Sequence, residues 1–236
     1  MRKIALTMTM LVLLLFGEGV SRAENNVSAH RGTEQSSSSE TSIPATPAPE
    51  EHSQVEAPDT QRSNILIAYF SRTGENYGVG YIEKGNTRIV ADVIAEQTGG
   101  DLFEIRTATA YPDDYNEATE VAKKEREEKA RPELVDGIED ISSYDVVFIG
   151  YPIWWSDMPM AVYSFLESYD LSNKTIIPFC THAGSGLSST QSSISSLFPE
   201  AAVLDGLAIS GSTAQNNLEE TENTVAEWLQ KNGIAG

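Results

Sequence analysis

Runs of consecutive hydrophobic residues recur at intervals from residue 63 onward, with polar loops between them. A run in which every position is apolar is typical of a parallel β-strand that is covered on both faces. Such runs predict strands at 65–70, 145–150 and 175–180, and a broken fifth strand at 203–204 and 207–209. Residues 101–105 are predicted as a short second strand. One residue argues against the fourth strand, because Pro178 is a proline inside the run and prolines are rare within sheets.

Between these runs the hydrophobic residues are spaced for one face of a helix. Ile89, Val90, Val93 and Ile94 form the first such stripe, which ends at Gly99. The spacing predicts helices at 87–98, 114–130, 160–166, 188–197 and 217–231.

Strands that alternate with helices predict an α/β fold, a doubly wound parallel sheet with helices on both faces. Ligands of such sheets bind beyond the carboxyl ends of the strands, where the strand order reverses. The candidate site therefore comprises the loops after Phe70, Gly150 and Cys180.

The first 62 residues have a different composition from the rest of the chain. A basic start (Met1–Lys3), a mostly apolar run (Ile4–Phe16) and small residues at 21 and 23 predict a secretory signal peptide over residues 1–23. The run has 13 residues, fewer than the roughly 20 that cross a bilayer, so we expect no stable membrane span after cleavage. Residues 24–62, rich in Ser, Thr, Pro and Glu, predict a disordered linker. The folded domain is then 63–236, in an extracytoplasmic (periplasmic or secreted) protein.

The acidic composition excludes several classes of function. The chain has 16 Lys and Arg against 35 Asp and Glu, and residues 63–236 have 11 against 27, a formal net charge of −16 for the domain. That charge repels nucleic acid, so we expect no nucleic-acid partner. One cysteine and three histidines provide neither an internal disulfide nor the usual structural zinc sites, and we expect no metal.

The first loop has the composition of an anion site. Ser71, Arg72, Thr73 and Gly74 precede an eleven-residue segment (75–85), after which Asn86 and Thr87 open a helix. Hydroxyls, a glycine and a helix N-terminus bring N–H and O–H donors together around a phosphate. An ATP-binding loop is excluded because its lysine is missing, and a dinucleotide fingerprint because its third glycine is missing. A phosphate monoester fits better, and a merely structural polar turn is the alternative.

The second loop carries adjacent tryptophans, Trp154 and Trp155, after Pro152 and Ile153. Such residues either pack under a neighbouring helix or form one wall of a slot for a flat ring. Because adjacent side chains rarely point the same way, we expect one tryptophan in each role.

The third loop contains Thr181, His182, Gly184, Ser185 and Gly186, and its glycines permit close approach of the backbone to a ligand. His182 is the only histidine of the domain, but the serine hydrolase elbow that it would serve is absent. It is then either a surface hydrogen-bonding group or a ligand contact.

Two further features have alternative interpretations. Cys180 is expected to be a small buried core residue, a reactive thiol being the alternative. Tyr77 and Tyr81, in the eleven-residue segment, either cover a ligand or anchor the segment to the surface.

Taken together, the three loops resemble those of the flavodoxin-like family, in the subgroup with an extended first loop. Without residues 75–85 the first loop is similar to the family's Ser/Thr-x-Thr-Gly-x-Thr phosphate loop, with either Gly74 or Gly85 at its tight turn. The second and third loops, 151–155 and 181–186, are similar to the family's two flavin loops.

The resemblance implies a five-stranded sheet in the order 2-1-3-4-5 and noncovalently bound FMN. It places Ser71, Thr73, Asn86 and Thr87 at the phosphate, with Arg72 beside them. It places residues 152–155 and 181–186 on either side of the isoalloxazine ring.

We therefore expect an exported electron-transfer flavoprotein that serves a redox partner protein with a basic surface. Two alternatives remain open. One is an NAD(P)H-dependent flavin or quinone reductase on the same fold, and the other is a flavin-free protein-binding module.

Overall fold

The buried runs of the sequence form the strands of one parallel sheet in the computed structural model, which describes residues 64–234. The predicted signal peptide and linker lie outside these residues. In chain order the described strands are β1 (Ile65–Tyr69), β2 (Gly74–Asn76), β3 (Gly80–Ile82), β4 (Asp101–Glu104), β5 (Val146–Pro152), β6 (Thr175–His182), β7 (Ala202–Val203) and β8 (Leu207–Ser210). Of these, β2 and β3 form a separate two-stranded sheet.

The main sheet has the order β4-β1-β5-β6, and both β7 and β8 pair with β6 in parallel. Because β7 and β8 together occupy the fifth position, the predicted order 2-1-3-4-5 is confirmed. The order reverses between β1 and β5, which are direct neighbours although β4 lies between them in sequence.

The break in the fifth strand lies beside Pro178. β7 pairs with β6 up to Ile176, and β8 begins its pairing at Phe179, so the proline falls in the gap between the two ladders. A proline has no N–H to donate to a neighbouring strand. Pro178 is therefore compatible with its position in β6, because neither β7 nor β8 pairs with β6 at that residue.

Six α-helices and one short 3-10 helix (Ile141–Ser143) accompany the strands in the described residues. The α-helices are α1 (Asn86–Thr98), α2 (Tyr115–Glu128), α3 (Met160–Glu167), α4 (Thr190–Leu197), α5 (Gly211–Asn216) and α6 (Leu218–Lys231). Five correspond to predicted helices with small changes at their ends. Asp114 and Asn217, predicted as first residues, are instead N-caps whose side chains accept from the N–H of Glu117 and Glu220.

Two hydrophobic cores lie on opposite faces of the sheet, as a doubly wound fold requires. Phe148 of β5 packs in the core that contains α1 and α6, whereas its neighbours Val147 and Ile149 belong to the core with α3 and α4. All three side chains are fully buried. This two-sided burial is why the strand has no polar position.

The eleven-residue segment of the first loop folds into an element that the sequence pattern did not predict. β2 and β3 form an antiparallel hairpin, with Gly78 and Gly80 at positive φ around its turn. Three-residue strands are too short to display a period of two, so the sequence pattern predicts only a loop there.

In the range 64–234, the structure has no helix with both the length and the apolar character needed to cross a bilayer.

Candidate functional site

The three candidate loops are joined to one another at the carboxyl edge of the sheet. The hydroxyls of Thr87 and Thr181 are 2.8 Å apart and both are buried, which connects the start of α1 to the end of β6. The N–H of Ile153 donates to the carbonyl of Thr181 at 2.9 Å, which connects the second loop to the third. The predicted site residues therefore converge on one edge.

Ser71 supports the start of α1. Its Oγ accepts from the backbone N–H of Arg88 at 3.1 Å, a donor for which a helix itself provides no acceptor. Asn86 and Thr87 precede Arg88 at the first two positions of α1, whose N–H groups also have no acceptor within the helix. The N-terminus of α1 thus directs donors toward the first loop.

Gly74 and Gly85 have different roles in the loop. Gly74 has φ of +80°, a left-handed conformation that favours glycine, and it begins the hairpin. Gly85 has an extended backbone and is the N-cap of α1. A Cβ at Gly85 would lie 2.2 Å from Ser71 Oγ, so only glycine permits this close approach. The left-handed backbone is at Gly74, and the close contact is at Gly85.

Arg72 does not direct its guanidinium into the cradle formed by Ser71 and the start of α1. The guanidinium donates to the carbonyls of Pro112 at 2.8 Å and Asp113 at 3.2 Å, and also to the carbonyl of Glu75. These bonds fasten the base of the hairpin to the loop that precedes α2. The Arg72 side chain therefore has a structural role, because its hydrogen bonds join the hairpin to the loop before α2.

A cavity of about 380 Å³ opens beside this loop. Ser71, Thr73 and Gly85 line it together with charged residues of both signs, namely Glu83, Lys84, Arg88, Asp92 and Glu104.

The two cations of the cavity are already paired. Lys84 Nζ and Arg88 Nε each lie 2.6 Å from a carboxylate oxygen of Asp92. With three carboxylates against two cations, the charge in the cavity is not positive. A phosphate at this loop would be held by neutral O–H and N–H donors and by the dipole of α1 rather than by a free cation.

The two tryptophans have separate surroundings, whereas the expected role of one of them as the wall of a slot for a flat ring stays a prediction. Trp154 lies against the core, with its ring centroid 5.4 Å from that of Phe70 and 5.1 Å from that of Tyr111, both edge-on. Trp155 is 45% exposed. Its Nε1 donates to the carbonyl of Thr119 on α2 at 3.1 Å.

A tight turn presents Trp155 to the outside. Trp154 and Asp157 exchange two backbone hydrogen bonds, of 2.8 and 3.0 Å, across Trp155 and Ser156. Both of these central residues have positive φ, 52° and 62°, which is the geometry of a type I′ turn. Residues other than glycine rarely adopt this backbone conformation, so the fold holds Trp155 outward at an energetic cost.

The third loop is organised around His182. The N–H of Gly184 donates to His182 Nδ1 at 2.9 Å, which requires that Nδ1 carry no proton. Partial burial lowers the pKa of His182, and this favours the same neutral form. Gly184 and Gly186 have positive φ, of 116° and 59°, so the close turn depends on both glycines. Ser185 between them is exposed.

Cys180 lies beneath this loop rather than in it. Its side chain is buried, its Sγ lies 3.5 Å from the carbonyl oxygen of Gly186, and burial raises the pKa of the thiol to about 12. A thiol of that kind is not nucleophilic at neutral pH. The structure favours the interpretation as a core residue.

Two residues near the site were not found from the sequence. Tyr111 packs on Trp154 and donates its hydroxyl to Glu125 at 2.7 Å. Gln215, on α5, reaches the start of α1, where it contacts Asn86 and the carbonyl of Lys84. An aromatic residue in a polar loop could have indicated Tyr111, but no local signal marks Gln215.

The fold and this edge define a doubly wound α/β protein with a polar helix N-terminus and a tryptophan-containing loop at its switch point. The flavodoxin family model matches residues 64–231, and the chain belongs to the flavodoxin family. The predicted family is thus confirmed.

Solved structures agree with this assignment. A candidate flavoprotein from Bacteroides eggerthii is 30% identical with a TM-score of 0.59, over 73% of this chain and 99% of that one. A second, from Bacteroides uniformis, is 28% identical with a TM-score of 0.58, over 71% and 98%. A flavoprotein from Lactobacillus acidophilus, solved in complex with FMN, is 22% identical with a TM-score of 0.50, over 66% and 98%, and shows the same fold. No curated protein matches the chain.

Proposed function

We propose that the chain binds FMN noncovalently and serves as an electron-transfer protein. The observation that carries the proposal is the junction of the three loops, in which Thr181 bonds both Thr87 and Ile153. A ligand with a phosphate at one end and a flat ring at the other could contact the start of α1 and both flavin loops at once.

The phosphate end of the ligand would lie at the first loop. Ser71 and Thr73 line the cavity there, and the backbone N–H groups of Asn86 and Thr87 have no acceptor within α1. The Thr87 hydroxyl is bonded to Thr181, so Thr87 would contribute through its backbone. This donor set fits a phosphate monoester, because a helix N-terminus and neutral donors stabilise an anion without a lysine. Arg72 contributes through its backbone and through the hairpin that it anchors.

The ring end would lie between the second and third loops. Trp155 offers an exposed aromatic surface, and His182 holds Gly184 in place so that the loop can approach the ring edge. Bound FMN would supply the redox chemistry, by accepting and releasing one or two electrons. The chain binds the ring, limits water around it and sets the field that it experiences.

The acidity of the domain supports a partner with a basic surface. Opposite charges accelerate encounter between the two proteins, and salt screens that attraction. The same negative charge disfavours further negative charge on the ring, so we expect a low potential for full reduction.

An FMN titration tests the cofactor. Purified protein is titrated with FMN at micromolar concentration while flavin fluorescence is followed. We expect quenching that saturates at one FMN per chain. No quenching and no co-elution of FMN on gel filtration would overturn the proposal and favour the flavin-free binding module.

A second measurement separates a carrier from a reductase. NADH or NADPH is added to the FMN-loaded protein without any partner protein, and absorbance near 450 nm is followed. A carrier keeps its yellow colour until a reductase or dithionite is added. Rapid bleaching by the nicotinamide alone would support the reductase alternative.

A further inference from the structure

Gln215 makes an unusual pair of contacts at the start of α1. Its Nε2 donates to the carbonyl of Lys84 at 2.7 Å and to Oδ1 of Asn86 at 2.9 Å. Both N–H groups of one side-chain amide thus hold residues on either side of Gly85. The side chain is half-buried and belongs to α5, an element that follows the fifth strand of the sheet.

These contacts orient the side chain of Asn86. Since Oδ1 is the atom that accepts from Gln215, the Nδ2 end, which carries the two N–H donors, is not used in this contact. Gly211 closes the other side, because a Cβ there would lie 2.5 Å from Nδ2 of Asn86. Gln215 and Gly211 together leave little freedom for the Asn86 amide to rotate.

Gln215 also fixes the backbone before the helix. Its bond to the carbonyl of Lys84 holds the residue that immediately precedes Gly85, the N-cap. The salt bridge from Lys84 to Asp92 ties the same residue to the body of α1. These contacts restrain the backbone on both sides of Gly85, and with it the N–H groups of Asn86 and Thr87.

We propose that Gln215 is a positioning residue for the phosphate of the flavin, and that it selects phosphorylated over unphosphorylated flavin. This inference rests on the proposed function. Gln215 acts through Lys84 and Asn86, the two residues that flank Gly85, and need not touch the ligand itself. Ordering a donor before binding removes part of the entropic cost that the ligand would otherwise meet.

The test compares two ligands that differ by one phosphate. FMN and riboflavin are titrated against wild-type protein and against Gln215→Leu, which keeps the volume but has no N–H. We expect the affinity for FMN to fall about tenfold in this variant. The reason is that the two lost hydrogen bonds position the N–H groups that would bind the phosphate. The affinity for riboflavin should change less than about twofold.

The chain offers a matched control in Gln97. It also donates from Nε2 to a distant backbone carbonyl, that of Glu222 at 3.0 Å, and it also connects α1 to a C-terminal helix. Gln97→Leu should leave the FMN-to-riboflavin affinity ratio unchanged. An equal fall of that ratio in both variants would overturn the proposal, because the effect would then be general helix support.

A second readout needs no flavin. Amide hydrogen exchange of the ligand-free protein should be faster at residues 85–87 in Gln215→Leu than in wild type, and unchanged there in Gln97→Leu. Should Gln215→Leu not fold, Gln215→Asn, which is one methylene shorter and cannot span both acceptors, is measured in the same way.

The outcomes separate the two proposals. Wild-type protein that binds no FMN contradicts the proposed function. Wild-type protein that binds FMN, with the same FMN-to-riboflavin ratio in the Gln215 variant, overturns the positioning role alone. A reduced ratio together with unchanged riboflavin affinity supports it.

Discussion

Gly85 shows how a single residue type can decide whether a site exists. A Cβ at this position would meet both Ser71 Oγ at 2.2 Å and the carbonyl oxygen of Arg72 at 2.7 Å, and the second of these is backbone. The φ of Gly85 is −65°, which any residue can adopt, so the requirement is one of space and not of conformation.

We therefore expect Gly85→Ala to displace the first loop from α1 and to lower the affinity for FMN more than tenfold, an effect above about 1.4 kcal/mol. Fluorescence titration with FMN gives the affinity. Gly78→Ala is the control, because its Cβ would meet open space at the hairpin turn. That variant should lose about 1 kcal/mol of stability from its positive φ and keep its FMN affinity.

His182 predicts a pH dependence of stability. Burial lowers its pKa in the folded protein, so folding favours the neutral ring that accepts from Gly184. The contribution of the neutral ring to the free energy of unfolding is complete above about pH 6.5, the pKa of His in the unfolded chain. It is lost as the pH falls through the lower pKa of His182 in the folded protein.

Thermal unfolding of the flavin-free protein measures this effect without interference from the FMN phosphate. The stability lost between pH 7 and pH 5 should be smaller in His182→Gln, which does not titrate, than in wild type. A folded-state NMR titration that places the pKa of His182 at or above 6.5 would contradict the prediction.

We expect the Cys180 thiol to react slowly with thiol reagents. Because burial raises its pKa to about 12, the thiolate is scarce at neutral pH and reagents cannot reach it. As the only cysteine of the chain, it can be followed without mutation. Reaction with a thiol reagent at pH 8 should be at least about a hundredfold slower in the native protein than in denaturant.

At the scale of elements, the hairpin of β2 and β3 depends on contacts from outside itself. Two three-residue strands are not stable alone in water. Arg72 supplies one attachment, with carbonyl contacts on both the hairpin and the loop before α2. The N–H of Glu75 supplies another, because it donates to the carbonyl of Asp113 at 2.8 Å. Tyr77 adds a ring contact with Tyr115 of α2, at 6.0 Å between centroids, while remaining 67% exposed.

We expect Arg72→Gln to release the hairpin from α2. Loss of the carbonyl contacts should cost about 2 kcal/mol of stability and open residues 74–82 to proteolysis. Arg106→Gln is the matched control, because Arg106 makes a single exposed ion pair with Asp136 and should be nearly neutral. Limited proteolysis with mass spectrometry would show whether the new cleavage sites fall in the hairpin.

The main strands and the longer helices could be predicted because each satisfies a local rule. β5 is a continuous apolar run that is buried on both faces, and α6 has an apolar stripe that ends near Lys231. α5, with six residues of which only Gly211 and Ala214 are buried, offers no stripe to detect. Its existence follows from packing against α1.

At the scale of the whole molecule, net charge should act in opposite directions on the two binding partners. The domain has 11 Lys and Arg against 27 Asp and Glu. FMN is an anion, and the cations that line the cavity at the first loop are paired with Asp92. A basic redox protein is instead attracted.

Raising the ionic strength from about 10 to 300 mM should therefore accelerate FMN association and slow electron transfer to a basic c-type cytochrome used as a probe. Stopped-flow measurements give both rates. If salt slowed both FMN association and electron transfer, the electrostatic potential at the phosphate loop would have to be positive. That outcome would contradict the prediction, which rests on the pairing of Lys84 and Arg88 with Asp92.

Short segments of the sequence are enough to specify the main elements and the chemistry of the loops. Buried runs specified the parallel strands, and the loops that follow them contained the hydroxyls, glycines and tryptophans of the candidate site. The family and strand order could be inferred because three such loops occur in a fixed order. The signal peptide and linker, outside the described residues, remain predictions.

Tertiary structure alone decided which of these residues meet and which way they point. Arg72 turns to a carbonyl 40 residues away, Thr87 meets Thr181 across 94 residues, and Gln215 holds Asn86 across 129. The physical reason is that the direction of a side chain depends on partners that folding brings near, and no local periodicity records contacts across such distances.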